Sequence, residues 1–202
     1  MARRATHTPE ELNLIILGAA EAIIAETGLG GLSAREIARR IEYSPGTIYN
    51  VFKNLDDVVL QVEARMLDRL DARLAGVASD QGTPEDIARN MARAYLNFTH
   101  EHPKLWNLLF EHHLPAGTEL PAWYQAKLEV LLAHVERAIA PLFGADEAAA
   151  LSRAARVLWA GVHGITSLST ADKLGVITTE TAGALVDDLV RTYLAGLRAA
   201  SG

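Results

Sequence analysis

The chain has 202 residues, 50% of them hydrophobic and 22% charged, with a formal net charge of −6 and no cysteine. That composition supplies a core, is too poor in charge for a disordered chain, and fits one or two domains. The missing cysteine excludes disulfides, thiolate metal sites and cysteine nucleophiles, and suits a reducing, cytoplasmic setting.

Ala and Leu supply nearly a third of the residues, which favours helix. Thr8-Pro9-Glu10-Glu11 provides an N-cap, a proline at the first helical position and a carboxylate at the third. Leu12, Ile15, Ile16, Ala19, Ala20, Ile23 and Ile24 follow on one helical face, and Gly28, Gly30 and Gly31 turn the chain. Ser33-Ala34-Arg35-Glu36 reads as a capping box opening a short helix with Ile37, Ala38 and Ile41 inward. Glu42-Tyr43 makes a turn, and Ser44-Pro45 restarts a helix whose apolar side is Ile48, Val51 and Phe52. Asn54 caps a long helix with Asp56 and Asp57 in its first turn, broken at 78–82. Thr83-Pro84 starts another to about His100, and His102-Pro103 a shorter one through His112. Leu114–Leu120 is a loop, and helices follow at about 121–139, 145–174 and 179–199. The expected fold is all-α with nine helices. No apolar run approaches roughly 18 residues, and no apolar stretch follows Arg3 and Arg4, so neither a membrane span nor a secretory leader is expected.

Charge is unevenly spread. Residues 1–55 carry six basic and six acidic side chains, so the whole −6 belongs to the remainder. Two short helices joined by a tight turn and packed on a third form a helix-turn-helix, which presents the start of its second helix to a major groove.

The run Ser44-Pro45-Gly46-Thr47-Ile48-Tyr49-Asn50-Val51-Phe52 carries a family resemblance. With Ile16–Ala20, Glu26, Gly28, Leu32-Ser33 and Ile37-Ala38 before it, the stretch Ile16–Val62 resembles the N-terminal domain of TetR-family transcriptional regulators. Trp159-Ala160-Gly161-Val162-His163-Gly164 is similar to a Trp/His-Gly segment in a subset of that family. The resemblance implies a dimeric, DNA-binding regulator. A helix-turn-helix domain would occupy 1–54, and a helical ligand and dimerisation domain 55–202. The chain departs from the family pattern twice: Glu42 stands where a turn glycine is usual, and Leu55 where a phosphate-contacting lysine is frequent, with Lys53 two residues earlier.

The expected DNA-contacting residues are Ser33, Arg35, Tyr43, Ser44, Pro45, Gly46, Thr47, Tyr49, Asn50 and Lys53. Thr47, Tyr49 and Lys53 can donate to phosphates, and Gly46 lets the backbone come close. Pro45 and the Thr47 methyl suit thymine methyls, and Asn50 a base edge. Tyr43 is open between packing inward and touching DNA.

Tyr95–Tyr124 concentrates aromatic and histidine residues. Phe98, Trp106, Phe110, Trp123 and Tyr124, with His102, His113 or His163 as polar handles, are the expected lining of an effector cavity; plain core is the competing reading. The histidine spacing makes no convincing metal site, and no cofactor is expected. Stripes on the last two long helices (Ala154, Leu158, Gly161, Val162, Ile165, Leu168; Leu185, Leu189, Tyr193, Leu194, Leu197) suit a homodimer interface. No nucleophile elbow, P-loop, dinucleotide fingerprint or zincin motif is present, so an enzyme is not expected. The combined expectation is a homodimeric regulator on double-stranded operator DNA, a repressor released by a small hydrophobic or aromatic effector. The alternatives are a DNA-binding regulator without a ligand and a helical protein-interaction module.

Overall fold

The computed structural model describes residues 7–78 and 82–200. The Arg3–Arg4 arm and the 79–81 part of the expected break lie outside the described residues. Among the described residues there are ten helices: α1 (Pro9–Thr27), α2 (Ala34–Ile41), α3 (Pro45–Ile48), α4 (Leu55–Ala78), α5 (Pro84–Glu101), α6 (Pro103–Glu111), α7 (Ala122–Ile139), α8 (Ala148–Thr170), α9 (Leu174–Ile177) and α10 (Ala182–Ala200). None is long and apolar enough to cross a membrane.

Cap chemistry sets most of these boundaries. Thr8 and Glu11 bond each other's backbone N–H groups at 3.2 and 2.9 Å, closing a full capping box on α1. Thr83 and Asp86 do the same for α5, both at 3.2 Å. Asn54 Oδ1 accepts from the Asp57 N–H at 2.8 Å and opens α4. At α2 the box is half made. Ser33 Oγ accepts from the Glu36 N–H at 3.1 Å, but the Glu36 carboxylate turns to Arg39 and Arg40 instead. A charge-assisted bidentate partner is a stronger draw than one exposed N–H.

Three elements differ from the sequence expectation. The helix expected over 145–174 stops at Thr170; Asp172 takes φ +55°, and one turn, α9, follows. A left-handed residue ends an α-helix because its carbonyl no longer points along the axis. The last helix begins at Ala182 because Thr181 is its cap, its Oγ1 accepting from the Ala184 N–H at 3.2 Å. After Ile48, α3 continues as turns whose bonds mix three- and four-residue spacing, Asn50 N–H to Thr47 O and Phe52 N–H to Ile48 O.

The chain divides into two compact units. The first holds the described part of Met1–Met66 together with His102–Tyr124. Its core is Ile16, Ala20, Ile23 and Ile24 of α1, Ile37 and Ala38 of α2, Ile48, Phe52, Val58, Val59 and Val62, with Leu105, Trp106 and Leu108 of α6. α1 packs on both α2 and α6, so α6 folds with the N-terminal helices although α5 separates them in sequence.

The second unit holds the described part of Leu67–Glu101 and Gln125–Gly202. α5, α8 and α10 pack pairwise, with Val186, Val190 and Leu194 of α10 buried at four-residue spacing. Part of the stripe expected at a dimer interface is used inside one chain. Leu158, Val162 and Leu194 are buried there, and Tyr193 donates to the Ala154 carbonyl at 3.3 Å. A Cβ on Gly161 would stand 2.8 Å from Leu189 Cδ2, so Gly161 leaves room for the Leu189 side chain of α10 against α8. On the outer side of α8, Val157 and Leu168 remain exposed.

Candidate functional site

In the first unit, α2, the turn and α3 hold one surface in solvent. Ile37, Ala38, Ile48 and Phe52 anchor the pair inward. The turn residue Glu42 adopts φ +59°, ψ +37°, and its N–H donates to the Ala38 carbonyl. The backbone thus keeps the left-handed conformation that a glycine gives freely, at a cost of roughly 1 kcal/mol for a residue with a Cβ. Ser33, Arg35, Ser44, Pro45, Gly46, Tyr49, Asn50 and Lys53 are exposed, Tyr49 at 53%. Tyr43 and Thr47 are half-buried. The Ser44 hydroxyl does not cap α3; it pairs with Thr47 Oγ1 at 3.0 Å. The Tyr43 hydroxyl and His7 Nδ1 are 2.6 Å apart, a tie to the start of the chain that sequence spacing gave no reason to expect. Asn50 lies on an open groove with Pro9, Glu10, Asn13, Leu14 and Val51, beside the N-terminal turn of α1.

Electrostatics sorts the basic residues of this surface. Glu36 binds Arg39 through two bonds of 2.7 and 2.8 Å and Arg40 through one of 3.1 Å, and these pull its carboxyl down to about 2. Arg40 also forks onto Glu26 at 2.5 and 2.8 Å. Both guanidiniums are therefore already neutralised. Arg35 and Lys53 are exposed and make no ion pair among the described residues. Gly46 is not required by internal packing: its φ is not in the left-handed region, and a Cβ there would meet only Ser44 Oγ, at 3.9 Å. A glycine the fold does not need, in the middle of the exposed run, suits close approach of an outside surface.

The same unit contains a charged triad built on the buried Glu63. His112 bonds Glu63 through Nδ1 at 3.1 Å and Asp56 through Nε2 at 3.2 Å. Glu63 is 3% exposed and is also hydrogen-bonded by Tyr124. Glu63, then Asp56, raise the His112 pKa above its ordinary value by hydrogen bonding to the imidazolium. The triad ties the first turns of α4 to the segment after α6.

The second unit contains a small, partly open cavity of about 40 Å³. Its wall is Leu70 and Leu74 of α4, Ala88, Met91, Ala92 and Tyr95 of α5, Leu131, Val135 and Ala138 of α7, and Leu158, Trp159 and Val162 of α8. At one side the Tyr95 hydroxyl and His163 Nδ1 are 2.8 Å apart, and the His163 ring stacks on Trp159 with centroids 5.2 Å apart. Burial raises the Tyr95 pKa and lowers that of His163, so both are neutral near pH 7. No wall residue carries a charge. Ligand pockets run to roughly 300–1,000 Å³, so an occupant of that size must part these helices.

The structure does not bring the eight expected effector residues together. His102, Trp106, Phe110, His113, Trp123 and Tyr124 belong to the first unit; Phe98 and His163 belong to the second. Trp106 and Tyr124 are buried in the first unit and Phe98 in the second. Phe110 and Trp123 are 46% and 39% exposed. His113 Nδ1 donates locally to the Glu111 carbonyl. Only His163 stands beside the cavity, through Tyr95 and Trp159. The aliphatic wall gave no local signal, because each helix contributes two to four residues at helical spacing. Trp159 was visible in the Trp/His-Gly segment, and Tyr95 within the aromatic stretch.

Comparison with known proteins agrees with this architecture. Residues 16–62 match the family described as bacterial regulatory proteins, tetR family, and residues 88–193 match a tetracyclin repressor-like C-terminal domain. No curated protein matches the sequence. A protein of unknown function from Rhodococcus sp. RHA1 superposes with TM-score 0.76 at 20% identity, over 97% of this chain and 98% of that one. The regulator FadR from Bacillus subtilis, in complex with stearoyl-CoA, gives 0.69 at 17% identity over 91% and 98%. Thermus thermophilus FadR, in complex with lauroyl-CoA, gives 0.66 at 20% identity over 91% and 94%. These three likenesses are of fold. The two family matches, one to each end of the chain and the longer spanning more than half of it, go further: the chain belongs to the TetR family of transcriptional regulators.

Proposed function

We propose that the protein is a homodimeric repressor that holds operator DNA through α2 and α3 and leaves it when an apolar effector enters the cavity of the second unit. One observation carries the DNA-binding part. The helix-turn-helix buries Ile37, Ala38, Ile48 and Phe52 and keeps Ser44, Pro45, Gly46, Tyr49 and Asn50 in solvent, with Gly46 free of any packing role. Arg35 and Lys53 supply charge for phosphates, and Asn50 suits a base edge. Dimerisation is supported by family membership and by the exposed Val157 and Leu168 on α8. A dimer spans half-sites roughly 34–36 Å apart.

The effector site is the α4–α5–α7–α8 cavity. Its small volume supports the switch: a bound state that must spread the walls differs from the free state, and only a ligand with unequal affinity for two states shifts their balance. α4 is one helix from Leu55 to Ala78, so Leu70 and Leu74 in the wall share it with Val58, Val59 and Val62. An alkyl chain is a second reading of the effector, favoured by the aliphatic wall and by the acyl-CoA complexes of two fold neighbours. The uncharged wall leaves a coenzyme head group outside the cavity.

The test is selection of bound fragments from the source genome, followed by gel shifts over a salt series with and without apolar effectors. The expected result is a palindromic site bound by a dimer, with affinity falling steeply with salt and with Thr47→Ala. Failure to retain any DNA at low salt would overturn the reading.

A further inference from the structure

Thr166 of α8 has no solvent exposure, and its Oγ1 finds no hydrogen-bond partner among the described residues. Three other threonines, inside helices or at their ends, donate to a carbonyl one turn back. Thr27 reaches Ile23 O at 2.8 Å, Thr99 reaches Leu96 O at 2.8 Å, and Thr170 reaches Ser167 O at 3.2 Å. That back-bond is the ordinary resting place of a helical threonine hydroxyl. Thr166 is as buried as Thr99 and does not use it. Buried polar groups without partners are rare enough in folded proteins that each needs a reason, an absent ligand being one.

Its position supplies the reason. Thr166 follows Val162 by four residues and so continues the face of α8 that carries the cavity wall. Two hydrogen bonds join α5 to α8 in the same order along both helices, Tyr95 to His163 at 2.8 Å and His100 to Ser169 at 3.1 Å. They bracket Thr99 on one helix and Thr166 on the other. The hydroxyl therefore stands one turn past the Tyr95–Val162 end of the cavity, where an occupant spreading α5 from α8 meets it.

We propose that Thr166 is the polar recognition point of the effector site, and that the effector is an uncharged apolar molecule carrying a hydroxyl or carbonyl that bonds Thr166 Oγ1. This rests on the reading of the α4–α5–α7–α8 cavity as the effector site. A threonine hydroxyl donates and accepts, so it serves either group. A carboxylate or phosphate has no cation to meet on this wall, and burying an unpaired charge is far more costly than burying a neutral polar group. Tyr95 and His163, both held neutral by burial, add no charge.

Three probes of matched shape test this by isothermal titration of the full chain: p-cresol, toluene and p-toluate. The expected result is about tenfold tighter binding of p-cresol than of either other probe, the size of one well-made hydrogen bond. Thr166→Val keeps the shape and removes the hydroxyl. It should abolish the preference for p-cresol over toluene and leave toluene binding unchanged, while Thr166→Ser retains the preference. Thr166→Val should also raise the melting temperature of the unliganded protein, since its buried hydroxyl has no bond to lose. A preference that survives in Thr166→Val, or p-toluate binding as tight as p-cresol, overturns the role of Thr166 alone. Failure of all three probes to bind the wild-type protein overturns the cavity reading and the proposal with it.

Discussion

His112 in the first unit and His163 in the second are both half-buried, and their ring nitrogens bond partners within their own units. A carboxylate sits against each nitrogen of His112, and those carboxylates hold the ring protonated above the usual histidine range. His163 has a tyrosine hydroxyl and an indole face, and burial alone pushes it toward the neutral form. The surroundings of the two rings follow the same division. In the first unit, Glu26, Glu36, Asp56 and Glu63 take up Arg39, Arg40 and His112 and fix the helices that carry the reader. Around the cavity, uncharged side chains from four helices meet, with the Tyr95–His163 hydrogen bond at one side. Directional charged bonds specify one arrangement, while dispersion contacts between aliphatic groups can be re-made after a slide. Under the proposed function, the helix-turn-helix surface has the first construction and the wall of the effector cavity the second.

The comparison breaks most sharply at Glu63. Glu63→Ala leaves the His112 cation without its buried partner and with only the part-exposed Asp56 beside it. Removing one member of a buried pair costs about 3–5 kcal/mol, against about 1 kcal/mol or less for an exposed pair such as Lys127–Asp68. Urea unfolding at pH 6 should show that gap between Glu63→Ala and Asp68→Ala. The double variant Glu63→Leu/His112→Leu should recover much of the loss, because it removes both charges. Equal effects of Glu63→Ala and Asp68→Ala would mean the triad is as weakly coupled as a surface pair.

Titration sharpens it next, through opposite signs. The His112 pKa is raised in the folded state, so its contribution is complete below about 6.5 and is lost as pH rises through the raised value. The His163 pKa is lowered, so its contribution is complete above about 6.5 and is lost as pH falls toward the lowered value. His112→Gln should therefore flatten the alkaline side of the stability profile and His163→Gln the acid side. Chemical denaturation from pH 5 to pH 9 reads both. The same sign for the two variants would contradict the assigned environments.

What the sequence made legible follows from the same contrast. The helix-turn-helix was legible because its determinants are local: caps at Thr8 and Asn54, a proline at each short restart, and the run of nine residues from Ser44 to Phe52. The cavity was not, because local aromatic density around Trp106 and Trp123 pointed into the first unit, whereas the wall is assembled from residues as far apart as Leu70 and Val162. The end of α8 was misread because nothing about Asp172 in sequence announces a left-handed backbone. Glu42 is the converse case, a departure from the family pattern whose backbone nevertheless keeps the expected turn.

Glu42 gives a smaller effect confined to the first unit. Glu42→Gly relieves the left-handed strain but widens the conformational freedom of the unfolded chain, and the two terms oppose each other. The strain term, about 1 kcal/mol, exceeds the entropy term of about 0.4–1 kcal/mol. The net gain is therefore a few tenths of a kcal/mol, seen as a small rise in the urea midpoint with unchanged slope. A clear fall in the midpoint would show that the Glu42 side chain contributes more than its backbone strain costs.

At Gly46, DNA affinity and stability should part. A methyl group at this position meets only Ser44 Oγ at 3.9 Å, and the backbone needs no left-handed freedom. Alanine also loses less entropy than glycine on entering a helical turn, so Gly46→Ala should leave the fold unchanged or firmer by up to about 0.5–1 kcal/mol. If Gly46 is present so that DNA can approach the backbone, the same methyl group stands in the way of the phosphates or base edges. Operator affinity should then fall at least tenfold at fixed salt, and Gly46→Val should lower it further. Fluorescence anisotropy on labelled operator, run beside thermal unfolding of the same samples, separates the two quantities. Unchanged DNA affinity in both variants would remove Gly46 from the contact surface and turn the reader about the α3 axis, toward the groove that Asn50 shares with Pro9 and Asn13.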